Sequence, residues 1–511
     1  MKKLTLLSTL WCFILSTAAQ KQDYIWHLGV DYSAEPGIQA MQIDFNKDTF
    51  QIEVRDFLFR FNHNSQAICD KEGNLLFYTN GCAVLNREHE VMPNGDTLNH
   101  SSFKEITGWD DCAYGYPGTQ NLVILDDPGN EQGYYLLHKT IVETSNYVNV
   151  SFISQLRCTY IDMSLDDGFG DVVYFDSVLM EDHPISAYLA AMRHQNGRDW
   201  WVVQPLLETS EYATFLIDAA GIHRMPNQES FQFFDVWFSG ASGTARFSPD
   251  GTKYAYFNRY DNLHLYDFDR GTGELSNHQF IEIFPTVLDT FDFQFGSVEW
   301  SPNSRFLYVT NRDSLHQIDT WEDNILEGGI RLIDVYNGTL DPFPTNFFIM
   351  VLGPDCRIYM CSTNGSNSFH IINHPDELGT ACGFVQNGLG LPGHSGPSLP
   401  FHTRWRVDEE DKCDPSIVSV FGLEVFYRRT LLVYPNPTAG PLSVEWPKAI
   451  GAGHLEVYNL EGRLMMRQEV GPLEERLEVN LAKFPPGHYH VEVYPEDNPG
   501  RVFYGAQVVK R

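Results

Sequence analysis

Six times along the chain, an apolar run, a tight turn and a second apolar or aromatic run follow one another. The copies are Ile68–Tyr78, Asp127–Leu137, Met192–Val203, Phe247–Phe257, Trp300–Val309 and Leu352–Met360. With Gly73, Asn130, Gly197, Gly251, Ser304 and Cys356 taken as turn positions, successive copies lie 52 to 57 residues apart, save one interval of 67. Self-similarity at such a period, filled with strand-like runs and turns, is the signature of a propeller blade. The turns have a mechanical reason: in Ser248-Pro-Asp-Gly251, Pro presets φ, Asp bonds back to the backbone and Gly accepts φ > 0. Residues 21–405 accommodate about seven such periods, with six blades as the alternative. The seventh blade is expected to join early strands around Ile38–Phe45 to a strand near Phe401–Val407, so that no sheet edge is left open.

Composition agrees with an all-β chain: 14% of residues are aromatic, alongside 40 Gly and 27 Pro. The formal charge of −32 argues against nucleic acid, since phosphate binding needs clustered Lys and Arg, and against an anionic membrane surface. The expected division is a signal segment over 1–19, a propeller over 20–405, an acidic linker over 406–430 and a small β-sandwich over 431–511. The linker holds the run Asp408-Glu-Glu-Asp411. The sandwich shows alternating strands at Leu442–Trp446, Leu455–Tyr458, Leu477–Leu481 and His488–Tyr494. From 431 onward 8 basic residues face 10 acidic ones, so the acidity belongs to the preceding regions.

Lys2 and Lys3, the apolar run Leu4–Leu15 and the small residues Thr17-Ala-Ala19 read as an export signal. That run is too short for a bilayer span, and no other segment approaches one. Of nine cysteines, eight follow the signal: Cys69, Cys82, Cys112, Cys158, Cys356, Cys361, Cys382 and Cys413. An even number in an oxidising compartment permits four disulfides, with pairing left open. No C-x-x-C pair is present, so a zinc knuckle is not expected.

The C-terminal region resembles the type A sorting domain of the type IX secretion system. The resemblance rests on four elements in order: Tyr434–Leu442, with Pro435, Asn436, Pro437 and Gly440; Val457–Gly462; Phe484–Tyr489, with Gly487 and Tyr489; and Val508–Lys510. It implies recognition by the type IX machinery, Sec export to the periplasm, passage across the outer membrane, removal of this domain, and release or attachment at the cell surface. Pro485-Pro486 departs mildly from the usual pair there. Residues 65–400 resemble large exported proteins of gliding bacteria, through Gly73–Gly81, Met92–Gly95, Ile161–Leu165, Gly168–Asp171 and Phe247–Gly251. That group brings fold and export, with no settled activity. Gly is usual where Cys356 stands in Gly353-Pro-Asp-Cys356, so this turn is expected to be reshaped or tied by a disulfide.

Catalytic signatures are near misses. Gly393-His-Ser-Gly-Pro397 lacks the second Gly and the helix of a nucleophile elbow, and H-E-x-x-H and phosphate-cradling glycine loops are absent. No cofactor is expected. Asp162, Asp166, Asp167 and Asp171 crowd a Gly-containing loop and are weak calcium candidates, turn aspartates being the commoner explanation. A polar residue follows each second strand of the repeat: Asn80, His138, Gln204, Asn258, Asn311 and Asn364. Together with Arg259 and Arg312 they are expected to ring the channel mouth, where amides suit sugar hydroxyls or a peptide backbone and arginines a carboxylate. The alternative is that these residues simply close turns. The resulting expectation is a surface binding protein for a protein or glycan ligand. A polysaccharide hydrolase or lyase and a structural part of the secretion or gliding machinery are the alternatives.

Overall fold

A computed structural model describes residues 20–29, 40–46, 50–55, 57–58, 60–61, 64–96, 98–99, 115–144, 152–182, 184, 187–234, 243–284, 295–417, 431–446, 452–459, 463–495 and 504–511. The signal segment 1–19, Cys112 and Gly462 lie outside these.

Among the described residues, seven antiparallel sheets follow one another up to residue 390 and form seven blades. Blade 1 contains Ile25–Leu28, Met41–Asp44 and Gln51–Val54; blade 2 contains Gln66–Cys69, Leu75–Thr79 and Val84–Asn86. Blade 3 is built on the long pair Asn130–Thr144 and Phe152–Asp162, and blade 4 on Ala190–Arg193, Trp200–Pro205 and Glu211–Asp218. Blade 5 has the four-stranded pattern Gly243–Phe247, Lys253–Asn258, Asn262–Asp269 and Glu274–Ile281. Blade 6 opens with Gly296–Trp300 and Phe306–Asn311, and blade 7 with Met350–Leu352 and Ile358–Met360.

The first two strands of a blade are buried on both sides, so they read as continuous apolar runs. Tyr254, Ala255, Tyr256 and Phe257 are all buried. Neighbouring blades share cores. Val298 and Trp300 of blade 6 pack on Ala255 and Phe257 of blade 5. Trp26 and Ile43 of blade 1 pack on Tyr359 and Phe369 of blade 7, which completes the ring.

Five of the six repeat turns take the left-handed conformation that their sequence pattern requires, whereas Asn130 opens the strand Asn130–Thr144 without a positive φ. Gly73, Gly197 and Gly251 have φ of 92°, 71° and 71°, and Ser304 and Cys356 occupy the same left-handed position at 62° and 66°. The Cys356 turn is tied by a disulfide to Cys413, whereas Cys69, Cys158, Cys361 and Cys382 are buried free thiols. Four disulfides are therefore not formed.

Closure of the ring differs from the expectation. Met41–Asp44 pairs with Ile25–Leu28 and Gln51–Val54, not with Phe401–Val407. Residues 401–407 form no strand. They run antiparallel to Ile25–Leu28 in the place of an innermost strand and are held by side chains: His402 stacks on Trp26 and Arg406 pairs with Asp23. The reason lies in Arg404 and Arg406, each of which reaches an acidic partner inside the ring. Arg404 bonds the buried Glu299 of blade 6, which also pairs with Arg246 of blade 5 at 3.0 Å. Trp405 meets Trp200 of blade 4 edge-on. One segment thus reaches blades 1, 4 and 6.

Two further sheets follow. Leu432–Tyr434, Pro441–Glu445 and Arg476–Asn480 form one, and Gly453–Asn459, Leu464–Val470, Gly487–Pro495 and Tyr504–Lys510 the other. Their facing residues, including Leu442, Val444, Trp446, Val457, Val479, Val491 and Val508, make one core, as in an immunoglobulin-like sandwich.

Candidate functional site

The propeller has two ends: a turn face, carrying the first hairpin turn of each blade, and an exit face, where the second strands end. The predicted ring residues stand at equivalent positions on the exit face. Asn80, His138, Gln204 and Asn258 are wholly buried. Asn80 receives the Cys82 amide at 3.0 Å, and its Nδ2 donates to the Arg60 carbonyl. His138 bonds Asn99 at 2.7 Å and Thr159 at 3.0 Å, and burial pushes its pKa down to about 3. Gln204 donates to the Pro205 carbonyl, and Asn258 to the Tyr188 hydroxyl at 2.8 Å. Arg259 lies buried over the Phe284 ring. Asn311, half-buried, accepts from the Asp313 and Ser314 amides, while Arg312 and Asn364 are exposed.

The aspartate loop is engaged with its own chain. Asp162 accepts from the Ser164 amide and hydroxyl, Asp171 accepts from Asn94, and Asp166 and Asp167 sit at φ of 49° and 53°. Among the described residues no group of three or more His, Cys, Asp or Glu is placed to hold a metal ion. Ser395 is buried and receives the Ser366 amide.

The turn face carries what the sequence reading missed. Between the turns of blades 6 and 7 and residues 410–417 lies a groove of 670 Å³, within the range of ligand sites. Asp355, Asp376, Glu377, Glu410 and Asp411 line it, with Asn303, Asn373, Arg357, Lys412 and the Cys356–Cys413 disulfide. Asp355 accepts the Tyr359 hydroxyl at 2.7 Å. Burial raises its pKa to about 6, against the lowering effect of Tyr359 and Arg357. Asp376 fixes the blade 6 turn by accepting the Asn303 amide at 3.0 Å. On the same face Arg305 is gripped by Asp319 at 2.7 Å and lies over Trp321, which is 63% exposed. Two signals in the sequence bear on this groove: the Cys in place of Gly at 356, and the acidic run read as linker.

The sorting elements converge at one end of the sandwich. Asn436 accepts the Val509 amide at 2.9 Å, and Thr438 donates its amide to the Val509 carbonyl at 2.8 Å. Tyr489 donates to the Pro485 carbonyl at 2.7 Å, and the Lys510 ammonium to the Phe484 carbonyl. Gly440 sits at φ 151° with Ala482 at 2.9 Å from where a Cβ would be, so a side chain there would collide with backbone. Pro435 and Pro437 follow cis bonds, and Gly487 opens the strand that carries Tyr489.

Residues 432–499 match the secretion system C-terminal sorting domain family. The protein is therefore an exported β-propeller protein with a type IX sorting domain, delivered to the cell surface or secreted. None of its described helices is long and apolar enough to cross a membrane. No curated protein matches the chain. Among solved structures it is similar to a periplasmic gluconolactonase of Pseudomonas aeruginosa, at 13% identity over 73% of this chain and 98% of that one, TM-score 0.37. It is also similar to PorZ, an essential surface component of the type IX system of Porphyromonas gingivalis, at 12% identity over 93% and 68%, TM-score 0.30. The Dos1 propeller aligns at 11% identity over 68% and 91%, TM-score 0.33.

Proposed function

We propose that the protein is a surface or secreted binding protein whose ligand, a glycan chain, lies in the groove of the turn face. The domains are propeller (20–405), a connecting stretch (406–430) and sorting domain (431–511). The observation that supports this reading is the groove itself: carboxylates and amides able to bond sugar hydroxyls line it, and Trp321 offers a ring for stacking on the same face. A glycan array with the native chain and with Asp376→Asn/Glu377→Gln tests the proposal. Binding by the native protein that is lost in the double variant, at unchanged melting temperature, is expected; equal binding by both refutes the groove.

A hydrolase or lyase is the second reading, favoured by Asp355. Asp355 stands in the groove wall with its carboxyl buried against the Tyr359 hydroxyl, and at about 6 its pKa lies in the range of a general acid that substrate binding would have to uncover. Release of reducing ends from a bound polysaccharide, abolished by Asp355→Asn, would establish it in place of simple binding.

A further inference from the structure

At the rim of the exit face, between blades 4 and 5, aromatic rings stand out into solvent. Phe231 is 62% exposed, Phe233 55% and Phe280 49%. Phe231 also holds φ at +60°, a conformation that a bulky side chain avoids and that persists only where surrounding structure enforces it. Two contacts enforce it here. The Ser230 carbonyl receives the Tyr266 hydroxyl, and the Phe231 ring stacks on His278 at 5.6 Å and 11°.

Behind the surface the stack is braced. His278 lies parallel to His264 at 5.1 Å, their nitrogens 2.9 Å apart, and His264 reaches the Asp261 carboxylate at 3.1 Å. His264 also pairs across the strands with Phe280. A strained backbone thus presents an exposed ring on a rigid aromatic column. Burial would be the ordinary fate of these rings.

The charged residues next to the two rings in sequence are both acidic. Glu229 precedes Phe231 by two residues and Glu282 follows Phe280 by two, both exposed, on a chain of net charge −32. Aromatic faces attract cations through their quadrupole, and carboxylates beside them add to the attraction. A net-acidic surface also steers a basic partner toward encounter.

We propose that this rim is a docking surface for a partner protein presenting lysine or arginine side chains. It does not rest on the groove and lies at the opposite end of the propeller. The test is titration of the full chain with octalysine at low and at physiological salt. Phe231→Ala/Phe280→Ala is expected to weaken binding roughly tenfold, from two lost cation–π contacts. Phe231→Trp should retain binding, and Leu332→Ala/Val335→Ala, exposed apolar residues of blade 6, should leave it unchanged. Phe231→Gly adds a separate readout: relief of the left-handed strain should keep or raise the melting temperature while affinity falls. Unchanged octalysine affinity in the double alanine variant overturns the proposal. So does binding of a neutral glucan oligosaccharide that the same variant abolishes, because the rim would then be a sugar platform.

Discussion

At the exit face the bonds are shorter in sequence: Asn311 bonds amides two and three residues ahead, Asn80 an amide two ahead and Asn258 the amide of Tyr260, while Asn258 reaches Tyr188 and His138 reaches Asn99 across no more than 70 residues. At the turn face the links span the chain. Arg406 reaches Asp23 across 383 residues, Arg404 reaches Glu299, and Cys413 is bonded to Cys356. The contrast separates two kinds of stability. Local bonds shape turns that each blade could form alone, whereas long-range links hold one end of the chain to the other. It also separates two kinds of surface, because the exit-face amides are mostly consumed by their own turns while the turn-face carboxylates at 376, 377, 410 and 411 remain in the groove.

The largest effect should come from the buried ion pair. Arg406→Ala leaves Asp23 buried without its counter-charge, and a loss of roughly 3–5 kcal/mol is expected in chemical denaturation. A loss below that of an exit-face variant would break the comparison. Cys413→Ser opens a loop spanning 57 residues and should cost roughly 2–4 kcal/mol, again at the turn face.

Two buried carboxylates of this face, Asp23 and Asp355, should respond to pH in opposite senses. Burial would raise the pKa of Asp23, but Arg406 overrides it and holds the carboxyl below its ordinary value. Its contribution is therefore present above the unfolded pKa of about 4 and disappears as pH falls through the lower folded value. Asp355 is raised to about 6. Its contribution is full below about 4 and is lost as pH rises through 6. Asp355→Asn should accordingly gain stability relative to the native chain between pH 4 and 7, by roughly 1–3 kcal/mol. Melting curves across that interval check the sign, and a flat difference would remove Asp355 from the account.

Smaller effects belong to the exit face. Asn258→Ala strips the Tyr188 hydroxyl and the Tyr260 amide of a partner and should cost about 1–2 kcal/mol, with Asn311→Ala nearer 1. Arg312→Ala, on an exposed side chain, should stay within about 0.5 kcal/mol. Deleting residues 431–511 should leave the propeller's melting curve unchanged and yet retain the protein in the periplasm. Cell fractionation reads this, and normal amounts of truncated protein at the surface would contradict it.

Six of the seven blades were legible because each is written in contiguous sequence, whereas the closing blade draws on both ends of the propeller. An apolar pair of strands and a turn that demands a left-handed residue recur at Gly73, Gly197, Gly251, Ser304 and Cys356, and the backbone obeys at every one of them. The sorting elements were legible for the same reason, as short ordered motifs, although only the folded sandwich shows why they are spaced as they are: Asn436, Phe484 and the last strand meet at one end. What the tertiary structure alone decided is how the ring is closed and where its cavity lies. Phe401–Val407 has the apolar content of a strand, but Arg404 and Arg406 find Glu299 and Asp23, and no pattern in seven residues can announce partners more than a hundred positions away. The groove shares that origin. Asp355 and Asp411 read in sequence as turn and linker carboxylates, which are common, and only the packing of residues 410–417 against blades 6 and 7 places them with Asp376 around one space. Periodicity fixes local backbone geometry, whereas a site assembled from distant segments depends on contacts that the periodicity does not encode.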